Sequence, residues 1–369
     1  MKSALKKSMD LVKSFVSSYP PYLILFVTSR CNARCQMCFN SSRQAKAKIH
    51  NELTLKEIAK ISEKYRRLAQ LTLTGGEPFL RNDLHEIVKL FYKNSGVQWV
   101  TIPTNGFNTE TIVKTTQKIL TSCPDLSINI DLSIDGCGDN HDKIRRLPGS
   151  FNQAIETFHL LKKFKQSNKN FSLKWTSVIS PFNQFHIPEV IKCLSPFGAD
   201  DHELLLARGK FRDSHEHDVS WQTYKKLIMQ KRQNDRICKK NIKGFERIFH
   251  ILYDYLYEVM IKTQQQKQMI YPCLAGKKMI EIYENGQVVP CEMRQWIQKD
   301  KTQGFGNIRE ANYDISQLLG STHSKHLIRK IEDGLCYCTF ECAILCSLIF
   351  SIRAYPHLTI YSLASRMQK

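Results

Sequence analysis

Three cysteines stand close together near the start of the chain, in Ser29-Arg30-Cys31-Asn32-Ala33-Arg34-Cys35-Gln36-Met37-Cys38-Phe39, a C-x3-C-x2-C spacing. The same i, i+4, i+7 positions could form a helical stripe of small buried residues. Against that, the arginines, Asn32 and Gln36 make the setting polar, and the triplet follows directly on an apolar run. Zinc normally takes four ligands in two close pairs, and here there are three. Three thiolates on one short loop better suit an iron–sulfur cubane, holding three irons and leaving the fourth open to another ligand. A second group, Cys273, Cys291, Cys336, Cys338, Cys342 and Cys346, lies in the last quarter of the chain, whereas Cys123, Cys137, Cys193 and Cys238 are scattered and read as structural.

Composition bounds what those thiols are for. The 369 residues include 42% hydrophobic, 24% charged and 10% aromatic side chains, enough apolar surface for a large core and too much for a disordered chain. The thirteen cysteines are an odd number, so complete internal pairing is excluded. Residues 1–27 lack an apolar stretch long enough for a secretory signal, and the apolar run 343–352 is about half the ~20 residues a spanning helix needs. The expectation is a cytoplasmic protein without a transmembrane segment, whose cysteines serve as metal-binding thiolates rather than disulfides. Lys plus Arg outnumber Asp plus Glu by 54 to 34, a net charge of +20. That balance favours anionic partners in general, but the basic residues are spread along the chain with no nucleic-acid-binding motif, so no specific nucleic acid is expected.

The elements that must position the first triplet follow a regular rhythm. Residues 22–28 (YLILFVT) form a continuous apolar run, as in a strand buried on both faces. Residues 53–68 are helical in pattern, with Thr54 as cap and Glu57 three residues on. Strands are predicted at 71–74, 97–103, 127–134, 171–179 and 203–207, and helices at 83–93, 110–120, 151–164 and 187–194. This alternation implies right-handed βαβ units and a parallel sheet. Six repeats predict a partial (β/α)6, TIM-like barrel, α/β in class, with the triplet at the C-terminal end of its first strand, the functional end of such barrels. Residues 1–21 read as an N-terminal helix with Leu5, Met9, Val12 and Val16 on one face. After residue 215 come a helical connector over 216–268, a cysteine-rich module over 269–350 with a hairpin (279–283 and 287–290) turning at Asn285-Gly286, and a tail over 351–369.

Taken in order, the motifs resemble those of the radical S-adenosylmethionine (SAM) enzymes. After the triplet, Gly75-Gly76-Glu77-Pro78 follows the second strand, Thr104-Asn105-Gly106 the third, and Ser133-Ile134-Asp135-Gly136 the fourth; His141-Asp142-Lys143-Ile144-Arg145 resembles the family's HDxxR segment. The resemblance covers roughly residues 22–212. It implies that Cys31, Cys35 and Cys38 hold a [4Fe-4S] cluster whose open iron binds SAM. Reductive cleavage then yields methionine and a 5′-deoxyadenosyl radical that abstracts hydrogen from a substrate. It also implies that Gly75, Gly76, Glu77, Ser133 and Arg145 surround SAM, and that an electron donor such as flavodoxin or ferredoxin supplies the reductant. Each motif has a physical use: glycines without side chains allow close backbone approach to a ligand, and Glu77 can accept from an ammonium group. Ser133 and Arg145 suit a ribose or a carboxylate, with Arg146 one position away as the alternative to Arg145. Asn105 either reaches the cofactor or makes a turn, and Asn183 is a weaker candidate of the same kind. No general acid or base is identified.

The later cysteines resemble the family's auxiliary-cluster modules, SPASM and the shorter twitch. Cys273 and Cys291, with Gly286 between them, give C-x12-G-x4-C, but Cys336 to Cys346 give C-x-C-x3-C-x3-C in place of the full SPASM spacing. Six thiols cannot complete two protein-ligated cubanes. One auxiliary iron–sulfur cluster is expected, held by Cys273, Cys291 and two of Cys336, Cys338 and Cys342; four such thiolates also suit zinc. Cys346, among Ile344, Leu345, Leu348 and Ile349, reads as a buried apolar residue. By analogy with family members carrying such modules, the expected substrate is a peptide or protein side chain; the alternative is a small molecule derived from a sugar, lipid or nucleotide. A non-enzymatic metal- or nucleic-acid-binding protein is the third reading.

Overall fold

The computed structural model describes residues 15, 17, 19–65, 68–238, 245–293, 304–334 and 336–367. Most of the expected N-terminal helix therefore lies outside the described residues. Six strands, β1 (Tyr22–Thr28), β2 (Gln70–Gly75), β3 (Trp99–Thr104), β4 (Ser127–Ser133), β5 (Phe171–Ile179) and β6 (Asp201–Leu206), pair in parallel and in sequence order. Between them run α1 (Leu55–Lys64), α2 (Leu84–Asn94), α3 (Thr109–Ser122), α4 (Asp139–Arg145), α5 (Ser150–Lys162) and α6 (Ile187–Leu194). This is the partial barrel of six βα units that the alternation predicts.

Strand β1 is buried along its whole length because it is central, with β2 on one edge and β7 (Met279–Ile282) on the other. The hairpin of β7 and β8 (Gln287–Val289), followed by β9 (Gly306–Asn307), thus extends the barrel sheet, where the sequence predicted a hairpin in a module of its own. On the outer strands burial alternates. Leu71, Leu73, Val100, Ile102, Ile128 and Ile130 face the helices and are almost fully buried, each contributing about 1.5–3 kcal/mol. Thr72, Thr101 and Asn129, on the other, inner face, stay partly exposed.

Helix α1 begins where Thr54 and Glu57 close a reciprocal capping box, as the sequence predicts. Behind β5, Trp175 stacks on Phe158 of α5 with ring centroids 4.2 Å apart. After β6 the chain turns helical, in α7 (Trp221–Cys238) and α8 (Phe245–Gln266). Helix α8 continues to Gln266, within the helical connector expected over 216–268. The C-terminal part adds α9 (Ile315–Gly320), α10 (Thr322–Glu332), α11 (Glu341–Phe350) and α12 (Tyr355–Met367). What reads in sequence as a tail is in fact α12, because Pro356 sits in its first turn, where a missing N–H costs nothing. Among the described residues no single helix is long and apolar enough to cross a membrane.

Candidate active site

The Cys31–Cys38 loop leaves the C-terminal end of β1 and is fixed from three sides. Main-chain N–H groups of Arg34 and Gln36 donate to the carbonyls of Arg145 and Ile144 (3.0 Å each), tying the loop to the end of α4. The Asp213 N–H donates to the Gln36 carbonyl (3.1 Å), and Arg212 Nε donates to the Cys35 carbonyl (3.3 Å). Asn105 Nδ2 donates to Asn32 Oδ1 (2.7 Å), which joins the loop to the end of β3. Asn32 Nδ2 is buried there without a hydrogen-bond partner. The three thiols are themselves only partly exposed.

Burial dominates their acidity. Cys31 is pushed up to about 12 and Cys35 to about 11, the latter despite the nearby Arg145; Cys38 is also raised. Each of these thiols is within electrostatic reach of another of the three. They are thiols until metal displaces their protons. Among the described residues no three Cys, His, Asp or Glu side chains converge closely enough for a single metal ion. A cubane makes no such demand, since each thiolate binds a different iron. Three thiols on one braced loop, beside a buried amide donor without a partner, fit that group.

The glycine pair does something the sequence reading did not anticipate. A Cβ on Gly75 would lie 2.0 Å from the Thr28 carbonyl oxygen, and one on Gly76 2.0 Å from that of Arg30. What approaches these glycines in the structure is the chain's own backbone, with Gly76 N–H donating to Thr28 O and Glu77 N–H to Arg30 O (2.8 Å each). The end of β2 is thereby zipped to the segment entering the cysteine loop. Glu77 is fully buried and accepts from Thr104 Oγ1 (2.8 Å), Asn105 N (2.8 Å) and Phe79 N (3.2 Å). Burial raises its carboxyl and these three bonds oppose the shift. Three of about four acceptor positions are therefore filled from within the protein.

The structure places Arg145 at the site and Arg146 outside it. Arg145 is buried, and its guanidinium grips Asp135 at 2.7 and 2.8 Å while facing Cys35 and Cys31. Arg146, in a left-handed conformation (φ 50°), reaches outward to Asp213 at 2.5 Å. Ser133 ends β4, partly exposed. Asn105 makes a turn, its Oδ1 accepting from Phe107 N (3.0 Å), in addition to its bridge to Asn32. Asn183 is a buried corner that donates to the carbonyls of Asp135 and Val178.

In the second group, the thiols of Cys273, Cys291, Cys336 and Cys338 act on one another electrostatically, and each of Cys273, Cys291 and Cys338 is raised chiefly by burial. Cys342 is set apart under β1, where Tyr22 Oη donates to its Sγ (3.2 Å). Cys346 is buried in the core, its Sγ 3.8 Å from the Lys278 carbonyl.

Several residues of the inner face were missed in the sequence. Asp135, in the Ser133–Gly136 motif, holds Arg145 and accepts from Val178 N (2.8 Å). Arg208, beyond the end of β6, pairs with Glu292 (2.7 Å) and Glu341 (2.6 Å), and Arg43 pairs with Glu284. Lys174 pairs with Glu203 at 2.7 Å, and neighbouring Asp131 is pushed up to about 7 by burial and then by Glu203. Asp135 and Arg208 carry the signal of lying just past the ends of strands, whereas Asp131, Lys174 and Glu203 are charged residues within β4, β5 and β6.

A model of the Radical SAM superfamily matches residues 25–177. The GTP 3′,8-cyclase of Haemophilus ducreyi (strain 35000HP) is 32% identical over 124 residues, 33% of this chain and 36% of the cyclase, so the match spans about a third of that relative's length. The AdoMet-dependent heme synthase of Methanosarcina barkeri (strain Fusaro) is 24% identical over 301 residues, 79% of this chain and 80% of the synthase. Among solved structures, native anSMEcpe with bound AdoMet and Cp18Cys peptide is 14% identical and covers 93% of this chain and 99% of that one at TM-score 0.59, a likeness of fold.

Proposed function

We propose, for a chain that belongs to the radical SAM superfamily through residues 25–177, that Cys31, Cys35 and Cys38 hold its [4Fe-4S] cluster and that the radical chemistry modifies a peptide or protein side chain. The cluster, when bound, supplies the electron that cleaves SAM into methionine and a 5′-deoxyadenosyl radical. The protein's part is to hold and orient. The backbone zipper from Gly76 and Glu77 to Thr28 and Arg30 fixes where the cysteine loop begins, and the Arg145 and Ile144 carbonyls fix its middle. Arg145, locked by Asp135, keeps a positive charge against Cys35 and Cys31 and offsets the charge that thiolates bring to a buried place. Asn105, Asn32 and Ser133 offer polar groups at the same end of the sheet, suited to SAM's ribose and amino-acid portions. Cys273, Cys291, Cys336 and Cys338 hold one auxiliary cluster on the same reading.

The observation that carries the substrate class is the likeness in fold, over nearly the whole of both chains, to a structure that contains a bound peptide. A second reading, a small-molecule substrate, is favoured by the heme synthase, the relative matched over about four-fifths of both chains. The two separate in one experiment. Anaerobically reconstituted protein, with reductant and SAM, is given an extract of the source organism with and without prior protease treatment, and 5′-deoxyadenosine is measured. Stimulation above the extract-free rate that protease abolishes is the expected result; stimulation that survives protease supports the small-molecule reading instead.

A further inference from the structure

On the inner face of the sheet, Glu281 of β7 stands out chemically. It is fully buried, which raises its carboxyl well above the usual range; the Glu292 main-chain N–H is the donor set toward it, and neither oxygen has a side-chain partner. Its place follows from strand register. Glu281 lies beside Ile24 of β1, Ile24 beside Thr72 of β2, Thr72 beside Thr101 of β3, and Thr101 beside Asn129 of β4. In-register neighbours of a parallel sheet share a face, so Glu281 lies on the inner face, at the buried end of a row whose Thr72, Thr101 and Asn129 are partly exposed, and the Tyr22 Oη–Thr72 Oγ1 contact (3.0 Å) marks that same face.

The charges around it are already taken. Arg208 divides its guanidinium between Glu292 and Glu341, and Arg43 holds Glu284 while lying over the Tyr283 ring, 3.5 Å from its centroid. Four carboxyls thus face two guanidiniums, and Glu281, the one of them without an ion pair, is the most deeply buried. A buried carboxylate without a partner is costly in any protein. Here, in a chain whose overall charge is +20, carboxyls outnumber cations around Glu281, and burial holds Glu281 toward its neutral form.

We propose that Glu281 is the docking point for a cationic group, an ammonium or guanidinium, carried by the substrate. Such a group gives Glu281 the cationic partner it lacks, favours its ionised form and supplies side-chain-type donors to its oxygens. The proposal rests on the reading that the inner face receives the substrate. Within the peptide reading it selects a segment bearing a lysine or arginine side chain next to the modified residue, and within the small-molecule reading an amine.

The test uses the reconstituted protein without SAM or reductant, so its outcome does not depend on whether SAM is cleaved. The probes are n-butylammonium chloride and methylguanidinium chloride. 1-Butanol serves as the neutral isostere of butylammonium, and sodium chloride is matched for ionic strength. Affinity is read from the rise in melting temperature with probe concentration. In the wild type both cations give a saturable rise that butanol and sodium chloride do not. Glu281→Gln weakens cation binding roughly 10- to 150-fold, the loss of one charge-assisted contact. Glu281→Asp, which keeps the charge on a shorter arm, weakens it less. No saturable rise in the wild type overturns the proposal, as does equal action of butylammonium and butanol. So does unchanged cation affinity in Glu281→Asp, an outcome that stays informative even where Glu281→Gln does not fold.

Discussion

Glu77 shows how a residue's motif and its surroundings can assign it different work. The motif implies an acceptor for SAM's ammonium, whereas in the structure the carboxylate is committed to two main-chain N–H groups and a hydroxyl. An amide in its place keeps one acceptor oxygen but turns an NH2 toward donors. Glu77→Gln is therefore expected to cost about 1–3 kcal/mol of folding stability, read as a lowered melting temperature in the absence of SAM. A variant as stable as wild type that binds SAM at least tenfold more weakly would instead reserve the carboxylate for the ligand. Residue roles of this kind are only half legible in a sequence. The GGEP string gives the place, but the partners come from Thr104 and Asn105, on another strand. Likewise the choice between Arg145 and Arg146 turns on which side chain is buried against Asp135, and that is settled by the left-handed turn at Arg146 ending α4.

At the scale of elements, the strands and helices of the barrel were readable because each βα unit carries its own signal: a continuous apolar run in β1, a capping box before α1, amphipathic spacing in α2 and α6. The joining of β7 to β1 was not readable, because more than 240 residues separate them and nothing local in either strand names its partner. That pairing carries the Cys291 hairpin to the barrel, and the loop before α11 then brings in Cys336 and Cys338, while Cys342, already on the helix, turns to Tyr22. The iron content should follow this division. With about four irons per cubane, wild type should approach about eight, and Cys273→Ala or Cys338→Ala should lose the second set. Cys342→Ser should retain it, at some cost to packing under β1. Loss of iron in Cys342→Ser with full retention in Cys336→Ser would reverse the assignment. Zinc in place of the second four irons would make that module a structural metal site.

For the molecule as a whole, a basic chain keeps its negative charge inward: Glu77 and Asp135 beside the cysteine loop, and Asp131, Glu203, Glu281, Glu292 and Glu341 along the inner face, with buried arginines and lysines holding most of them in place. Buried pairs of this kind are weak stabilisers and strong constraints on position, which is what a site handling a reactive radical requires. Everything said of the inner face depends on the cysteine loop being a site of SAM cleavage. The direct measurement is the release of 5′-deoxyadenosine and methionine by anaerobically reconstituted protein given dithionite and SAM, beside the Cys31/Cys35/Cys38→Ala variant. Release by the wild type, abolished in the triple variant while the second set of irons is retained, is the predicted result; equal release by both proteins would contradict it.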